Sequence, residues 1–320
     1  MKHTLTITVL LVSFFLLAQV FGLFLIAKDA NISTTIEGNK TITTVAHNDT
    51  AVGPRPETEG AGSFLYVAIG VLIGTLLVLL LARFGKTNLW KIWYFIAVWM
   101  AMSISLGVLI KQPLLFDYGM AIGLALALAI WKIFKPNIFV HNITEVFIYA
   151  GIALLLVPLF NVLWAVILLL AISLYDMYAV WKSKHMITMA KFQTQSNVFA
   201  GLMIPYRTIK MNPATAKKTS GTGTGKAALQ KPPAKDAPKT AILGGGDIAF
   251  PLIFTGTVFE ELLREGLTKS VAYLHASIII ATATIAIALL FFSAKKGKFY
   301  PAMPFLTLGC LIGWGIVLII

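Results

Sequence analysis

Charge is what this 320-residue chain has least of. Only 12% of its residues are Asp, Glu, Lys or Arg, whereas 58% are hydrophobic. A soluble globular domain carries about 25% charged residues, so the composition excludes that class and describes a membrane protein. Cysteine is almost absent. The one copy, Cys310, lies in an apolar segment and excludes an intrachain disulfide framework and a Cys-rich zinc site. Acids are scarce as well, 13 against 26 Lys and Arg, for a net charge of +13. That excess does not imply a nucleic-acid partner. The cations sit in loops between apolar runs, where membrane topology accounts for them.

The apolar runs are plentiful. A span needs about 20 mostly apolar residues. Nine candidates meet that requirement, roughly 5–27, 64–83, 92–110, 114–131, 138–158, 161–181, 242–263, 271–293 and 300–320. The first follows Lys2 and His3 as a signal peptide would. Its apolar run is too long for one and no small-x-small site follows, so an uncleaved helix is favoured. Orientation follows from the Lys/Arg asymmetry. With the N-terminus inside, the short inner loops carry Arg83, Lys86, Lys91, Lys132, Lys135, Lys295, Lys296 and Lys298. The short outer loops carry only Lys111, Arg264 and Lys269. The expected fold is therefore an all-α polytopic membrane protein of nine transmembrane helices. Its N-terminus is cytoplasmic and its C-terminus extracellular. Trp90, Trp93, Trp131 and Trp181 fall near predicted inner ends, as an aromatic belt would.

Three parts result. Residues 1–181 hold helices one to six, with a polar extracellular loop over 28–63. Residues 182–241 form a cytoplasmic loop, expected to be largely disordered from 212, where Lys, Ala, Gly, Thr and Pro dominate. Residues 242–320 hold helices seven to nine. The outer loop carries glycosylation sequons at Asn31, Asn39 and Asn48; chance in an Asn/Thr-rich loop explains them equally well.

Two acids stand out against this background. Asp176 lies in the sixth run, NVLWAVILLLAISLYDMYAVW, and Asp247 in the seventh, ILGGGDIAFPLIFTGTVFEELL. An Asp at the bilayer centre costs about 2.5–3.5 kcal/mol on insertion scales, so such residues are rare and usually functional. The sixth run descends and the seventh ascends. Each Asp is then about five residues from a cytoplasmic boundary, roughly 8 Å deep. Two carboxylates sharing a site hold one proton between them. The ionised member can take a proton from water, and the protonated member can polarise a peptide carbonyl and later protonate the leaving amine. Such a pair hydrolyses amides without a metal or cofactor. Gly244, Gly245 and Gly246 weaken the start of the seventh helix and permit close approach of another backbone; tight packing alone would also use them. Tyr300-Pro301-Ala302-Met303-Pro304 opens the ninth run, where two prolines mark a helix start or leave carbonyls without donors.

Together these elements resemble the presenilin family of GxGD intramembrane aspartyl proteases. Tyr175-Asp176 matches the family's Tyr-Asp motif, and Gly244-Gly245-Gly246-Asp247 its Gly-x-Gly-Asp motif. Pro301-Ala302-Met303 is similar to its Pro-Ala-Leu motif, with Met for Leu. The stretch 175–190, YDMYAVWKSKHMITMA, looks most like archaeal presenilin homologues. The resemblance implies a catalytic dyad of Asp176 and Asp247. It implies supporting or substrate-binding roles for Tyr175, Gly244, Gly246, Pro301, Ala302 and Met303. It implies transmembrane peptide or protein substrates with their N-termini outside, and no obligatory partner subunits. Signal peptide peptidases share the motifs in the opposite orientation. Asn197–Pro205 is the only apolar run in the cytoplasmic loop. The resemblance suggests that strands there pair with an extended substrate; a membrane-surface segment is the plainer reading.

Other signals are weaker. GTGTGK at 221–226 lacks the first Gly of a phosphate loop and reads as linker. His141 and Glu145 share a helix face and read as an interfacial hydrogen-bonded pair rather than a metal site. Asp117, Glu260, Glu261 and Glu265 fall near outer helix ends, where solvation or pairing suffices. Paired intramembrane acids also suit a transporter or ion-leak pathway, although no inverted repeat is visible. A non-catalytic scaffold is the third possibility. The expected location is the cell membrane, as a multi-pass protein.

Overall fold

Apolar runs of this length satisfy their backbone groups in lipid only as helices. The computed structural model describes residues 5–37, 40–56, 58, 60–110, 118–135, 137–183, 198–206, 239–294 and 300–320. Among them are nine α-helices and two short hairpins. In chain order the elements are α1 (Leu5–Asp29), β1 (Asn31–Glu37), β2 (Lys40–Ala46), α2 (Ala61–Arg83), α3 (Thr87–Leu109), α4 (Gly119–Phe134), α5 (Ile138–Leu156), α6 (Val162–Tyr178), β3 (Gly201–Tyr206), β4 (Lys239–Gly244), α7 (Gly246–Arg264), α8 (Lys269–Ser293) and α9 (Met303–Val317). Asn39, Asp117, GTGTGK and the linker from 212 to 238 lie outside the described residues.

Six helical segments, of 21 to 25 residues, are long and apolar enough to cross a membrane: Leu5–Asp29, Ala61–Arg83, Thr87–Leu109, Ile138–Leu159, Val162–Lys182 and Lys269–Ser293. At about 1.5 Å per residue each exceeds the roughly 30 Å of a hydrocarbon core. The helices α4 and α9 are apolar but shorter, with 16 and 15 residues. The remaining helix, α7, is the least apolar of the nine, and the packing shows why it can be. It contacts α1, α5, α6, α8 and α9, and most of its side chains are buried against them. A helix walled in by protein need not present an apolar face to lipid. By contrast α2 buries only Ser63, Val67, Val78 and Leu81 and lies at the edge of the bundle.

Local sequence sets the breaks. Pro158 lies in a 3₁₀ turn, Val157–Leu159, that closes α5. Asn161 then caps α6 by accepting from the Trp164 N–H, so two helices fit on either side of a very short gap. A π turn, Ala179–Ser183, extends α6 past Asp176.

Two sequence expectations need correction. The segment 28–63 is not simply a polar loop. Its Thr- and Ile-rich stretches pair as an antiparallel hairpin, from Asn31 opposite Ala46 to Glu37 opposite Lys40. β-branched residues favour such pleated pairing even in a polar stretch. The seventh helix does not start at 242. Residues 239–244 form β4, paired with β3, and the helix begins at Gly246. Asp247 therefore sits in the first turn of α7, shallower in its helix than the apolar run suggested.

The hairpin end of the bundle is tied by a buried charge cluster. His47, just after β2, has Nδ1 3.0 Å from Asp29 Oδ2 and Nε2 3.0 Å from Glu260 Oε1. Arg55 pairs with Asp29 at 2.6 Å, and Arg264 with Glu260 at 3.0 Å. Arg55 also donates to the Leu154 carbonyl. Glu260, expected near an outer helix end to be either solvated or paired, is fully buried and paired with these cations. Burial alone would lower the His47 pKa, but the Asp29 and Glu260 carboxylates outweigh it and raise the value from 6.5 to about 9. A raised folded-state pKa stabilises fully below about pH 6.5, and that stability is lost as pH rises through about 9. The shift is worth about 3 kcal/mol as an upper figure. The unfolding midpoint in detergent is therefore predicted to fall as pH rises from about 6.5 to about 9, and His47→Gln to flatten that slope. Parallel pH profiles for the two proteins would contradict the assignment.

Candidate active site

The helices α6 and α7 pack against each other. They bring Asp176, near the end of α6, and Asp247, at the start of α7, within charge-interaction range. Both residues are half-buried. The N-terminus of α9 closes the third side. Its Met303 N–H donates to Asp176 Oδ2 at 3.2 Å. First-turn amides have no intrahelical acceptor, and the positive end of the helix dipole faces the carboxylate. Pro301, Ala302 and Met303 are buried, and Pro304 lies in the first turn of the helix, where its missing N–H costs nothing. A buried pair keeps α9 in register with α6: Ser173 Oγ lies 2.6 Å from Thr307 Oγ1. Tyr175 lies on the exposed face of α6.

The three glycines before Asp247 are not equivalent. A Cβ on Gly244 would sit 3.1 Å from Asp247 Oδ2, and one on Gly245 3.0 Å from the Tyr149 ring. A Cβ on Gly246 would meet nothing closer than the Phe250 ring at 3.4 Å, an ordinary contact. Gly244→Ala is therefore predicted to lower activity about tenfold or more by displacing the carboxyl, and Gly246→Ala to cost much less. Kinetics of the two variants under one condition test the order; equal losses would contradict it.

Sequence reasoning missed two supports. Gln19 on α1, fully buried, donates from Nε2 to the Ile248 carbonyl at 2.8 Å, one residue past Asp247. A buried Gln in an apolar helix is the signal that could have found it. The second is the hairpin β3–β4, whose last residue, Gly244, leads into the Asp247 turn. Asn142 on α5 takes both the N–H and the C=O of Met203, at 3.0 and 2.9 Å. The Gly245 N–H reaches the Ala200 carbonyl at 3.4 Å. The segment 198–206, read as a surface run in its plainer interpretation, is thus in part a paired strand under the site. His141 and Glu145 do not form the expected hydrogen-bonded pair; they are 3.8 Å apart, and each has a better partner. No group of three or more His, Cys, Asp or Glu able to hold a metal occurs among the described residues.

The fold and the two acids define a multi-helix integral membrane protein with two Asp residues on adjacent helices of the bundle, within charge-interaction range of each other. Residues 39–320 match the family described as signal-peptide peptidase, presenilin aspartyl protease, and the chain belongs to that family. No curated protein matches the sequence. Among solved structures, a presenilin family intramembrane aspartate protease in a P2 space group superposes with a TM-score of 0.58 at 17% identity. The alignment covers 97% of this chain and 96% of that one. A second such structure, in a C222 space group, gives 0.56 at 15% identity, over 97% and 99%. At these identities the likeness is one of fold.

Proposed function

We propose that this chain is an intramembrane-cleaving aspartyl protease whose catalytic pair is Asp176 and Asp247. The observation that carries the reading is the packing of α6 against α7, which puts the two Asp residues within charge-interaction range, with Asp176 accepting from the Met303 amide of α9. One proton is shared between them. The ionised carboxylate takes a proton from water as its oxygen attacks the scissile carbonyl carbon. The protonated carboxyl gives its proton to the carbonyl oxygen. In the collapse of the gem-diol intermediate the carboxyl that took the water proton gives it to the leaving nitrogen as the C–N bond breaks, and one gem-diol hydroxyl returns its proton to the other carboxylate as the new C=O forms, so the pair again holds one proton. Which Asp begins ionised is a property of the pair.

Substrates are transmembrane helices that unwind locally, because helical amides bond internally and resist attack. The β3–β4 hairpin supports the capture of such an extended segment. Asn142 occupies the outer polar groups of β3 at Met203, and β4 has no second neighbouring strand among the described residues. Its free edge can add a strand. In this reading nine helices span the cell membrane, with the N-terminus cytoplasmic and the substrate N-terminus outside, and no partner subunit is needed. The test is the purified protein alone in vesicles with a labelled single-span peptide. Products cut within the apolar segment are expected by mass spectrometry. Proton or cation flux that needs both Asp residues, without any cleavage, would overturn the protease in favour of a transport pathway.

A further inference from the structure

A second group of charges is buried beside the site and takes no part in the chemistry above. Lys132 on α4 and Glu145 on α5 are both almost wholly buried and 2.6 Å apart. The Lys132 ammonium also reaches Thr144 Oγ1 at 3.1 Å and His141 Nδ1 at 3.2 Å, so its three donors are all matched. Glu145 Oε1 accepts from the Tyr94 hydroxyl of α3 at 3.1 Å. Its other oxygen accepts from the Tyr149 hydroxyl. The adjoining cavity, lined by Tyr94, Lys132, His141 and Phe199 among others, is only about 10 Å³, at the lower limit for one water. The charges are therefore compensated by protein groups.

The same residues grip the backbone that carries Asp247. The Phe199 carbonyl lies 3.0 Å from the Tyr94 hydroxyl and shares its one proton with Glu145 Oε1, and His141 Nε2 lies 2.8 Å from the Gly201 carbonyl. These hold the start of β3, whose partner β4 runs into Gly244. The contact closest to the site is Tyr149. Its ring edge and hydroxyl lie where a Cβ on Gly245 would come within 3.0 and 3.1 Å, so the ring packs directly on the turn before Asp247. The side chain also lies within charge-interaction range of Asp247. We infer that Glu145 is a positioning residue for catalysis: it fixes the Tyr149 hydroxyl, and Tyr149 in turn holds the Gly245 turn that aims Asp247. The pairing with Lys132 at 2.6 Å holds the Glu145 carboxyl in place. This inference rests on the proteolytic reading of the same site.

The test removes one link at a time. Tyr149→Phe deletes only the hydroxyl. It is expected to lower kcat about tenfold with KM unchanged, since misaim affects the transition state and not binding. Amide hydrogen exchange should quicken in peptides covering 239–250 and remain unchanged in α3 and α4. Removing the ion pair as a pair separates charge from positioning. Lys132→Met with Glu145→Leu leaves Tyr149 no acceptor and should show the same kcat loss. Lys132→Met with Glu145→Gln restores an acceptor oxygen and should recover most of it. Wild-type exchange over 239–250 in Tyr149→Phe, or faster exchange throughout the bundle, overturns the inference. So does equal kcat in the two double variants. Should the wild-type protein cut no peptide, the protease reading fails, and the local exchange result still decides whether Tyr149 holds the turn.

Discussion

Asp176→Ala and Asp247→Ala are each expected to abolish intramembrane cleavage, a fall of at least about 10³-fold in kcat. In the proposed mechanism the same pair activates water and protonates the carbonyl and amine, and general acid–base catalysis alone contributes about 10²–10⁴. Removing one member ends the sharing of a proton, so the survivor can act as neither half of a dyad. The losses will not add: the double variant should be about as inactive as either single one, as for any residues that act as a unit. Asn should fail like Ala at either position, because its amide preserves shape but cannot cycle a proton at neutral pH. The fold should survive. Both residues are half-buried rather than central, and the side-chain carbonyl introduced by Asp176→Asn can still accept from the Met303 amide. The measurement is turnover of a labelled single-span peptide in vesicles, beside the unfolding midpoint in detergent. A single variant that keeps wild-type turnover would refute the dyad, whereas one that fails to fold would show Asp to be structural.

Much of this site was legible in the sequence because a charge in an apolar run is costly and therefore conspicuous. Asp176 and Asp247 could be singled out on that basis, and the Pro301–Met303 turn by its prolines. The structure gathers all three at the junction of α6, α7 and α9. What remained hidden depends on partners distant in sequence. Lys132 reads as one more inner-loop cation until Glu145, 13 residues on, is found against it. His47 in a Thr-rich stretch reveals nothing of Glu260, although the two meet at 3.0 Å. β3 and β4 bracket a long polar segment, and neither could be paired without knowing that α5 presents Asn142 to hold the first strand. Apolar runs also blur their own ends. Leu243 is as apolar as any helix residue, and only the glycines that follow it hint that a strand, not a helix, precedes Asp247.

The other large effect is expected far from the acids, where α3 and α5 cross. A Cβ on Gly151 would overlap the Ala101 carbonyl oxygen and lie 2.7 Å from its carbonyl carbon, both backbone atoms of α3. No rotamer can relieve such a contact, so one helix must move. Overpacking a tight core commonly costs about 1–3 kcal/mol, and a backbone clash belongs at the upper end or beyond it. The cost is large because helices in lipid gain little from the hydrophobic effect and rely on close packing of small residues. One of the two, α5, also carries Asn142, Glu145 and Tyr149, so a shift between them reaches the residues beside the site. Gly151→Ala is therefore predicted to lower unfolding stability by about 2–4 kcal/mol and to reduce turnover with it, and Gly151→Leu to prevent folding. A glycine with an open surround, Gly70 on α2, supplies the comparison: nothing lies within 4 Å of its Cβ position. Gly70→Ala should be neutral or slightly stabilising, since Ala favours the helix by about 1 kcal/mol. Denaturant titration of the three variants decides the matter. Equal stability of Gly151→Ala and Gly70→Ala would mean that α3 and α5 do not approach as closely as described, and that the platform beneath Asp247 is not held from that side.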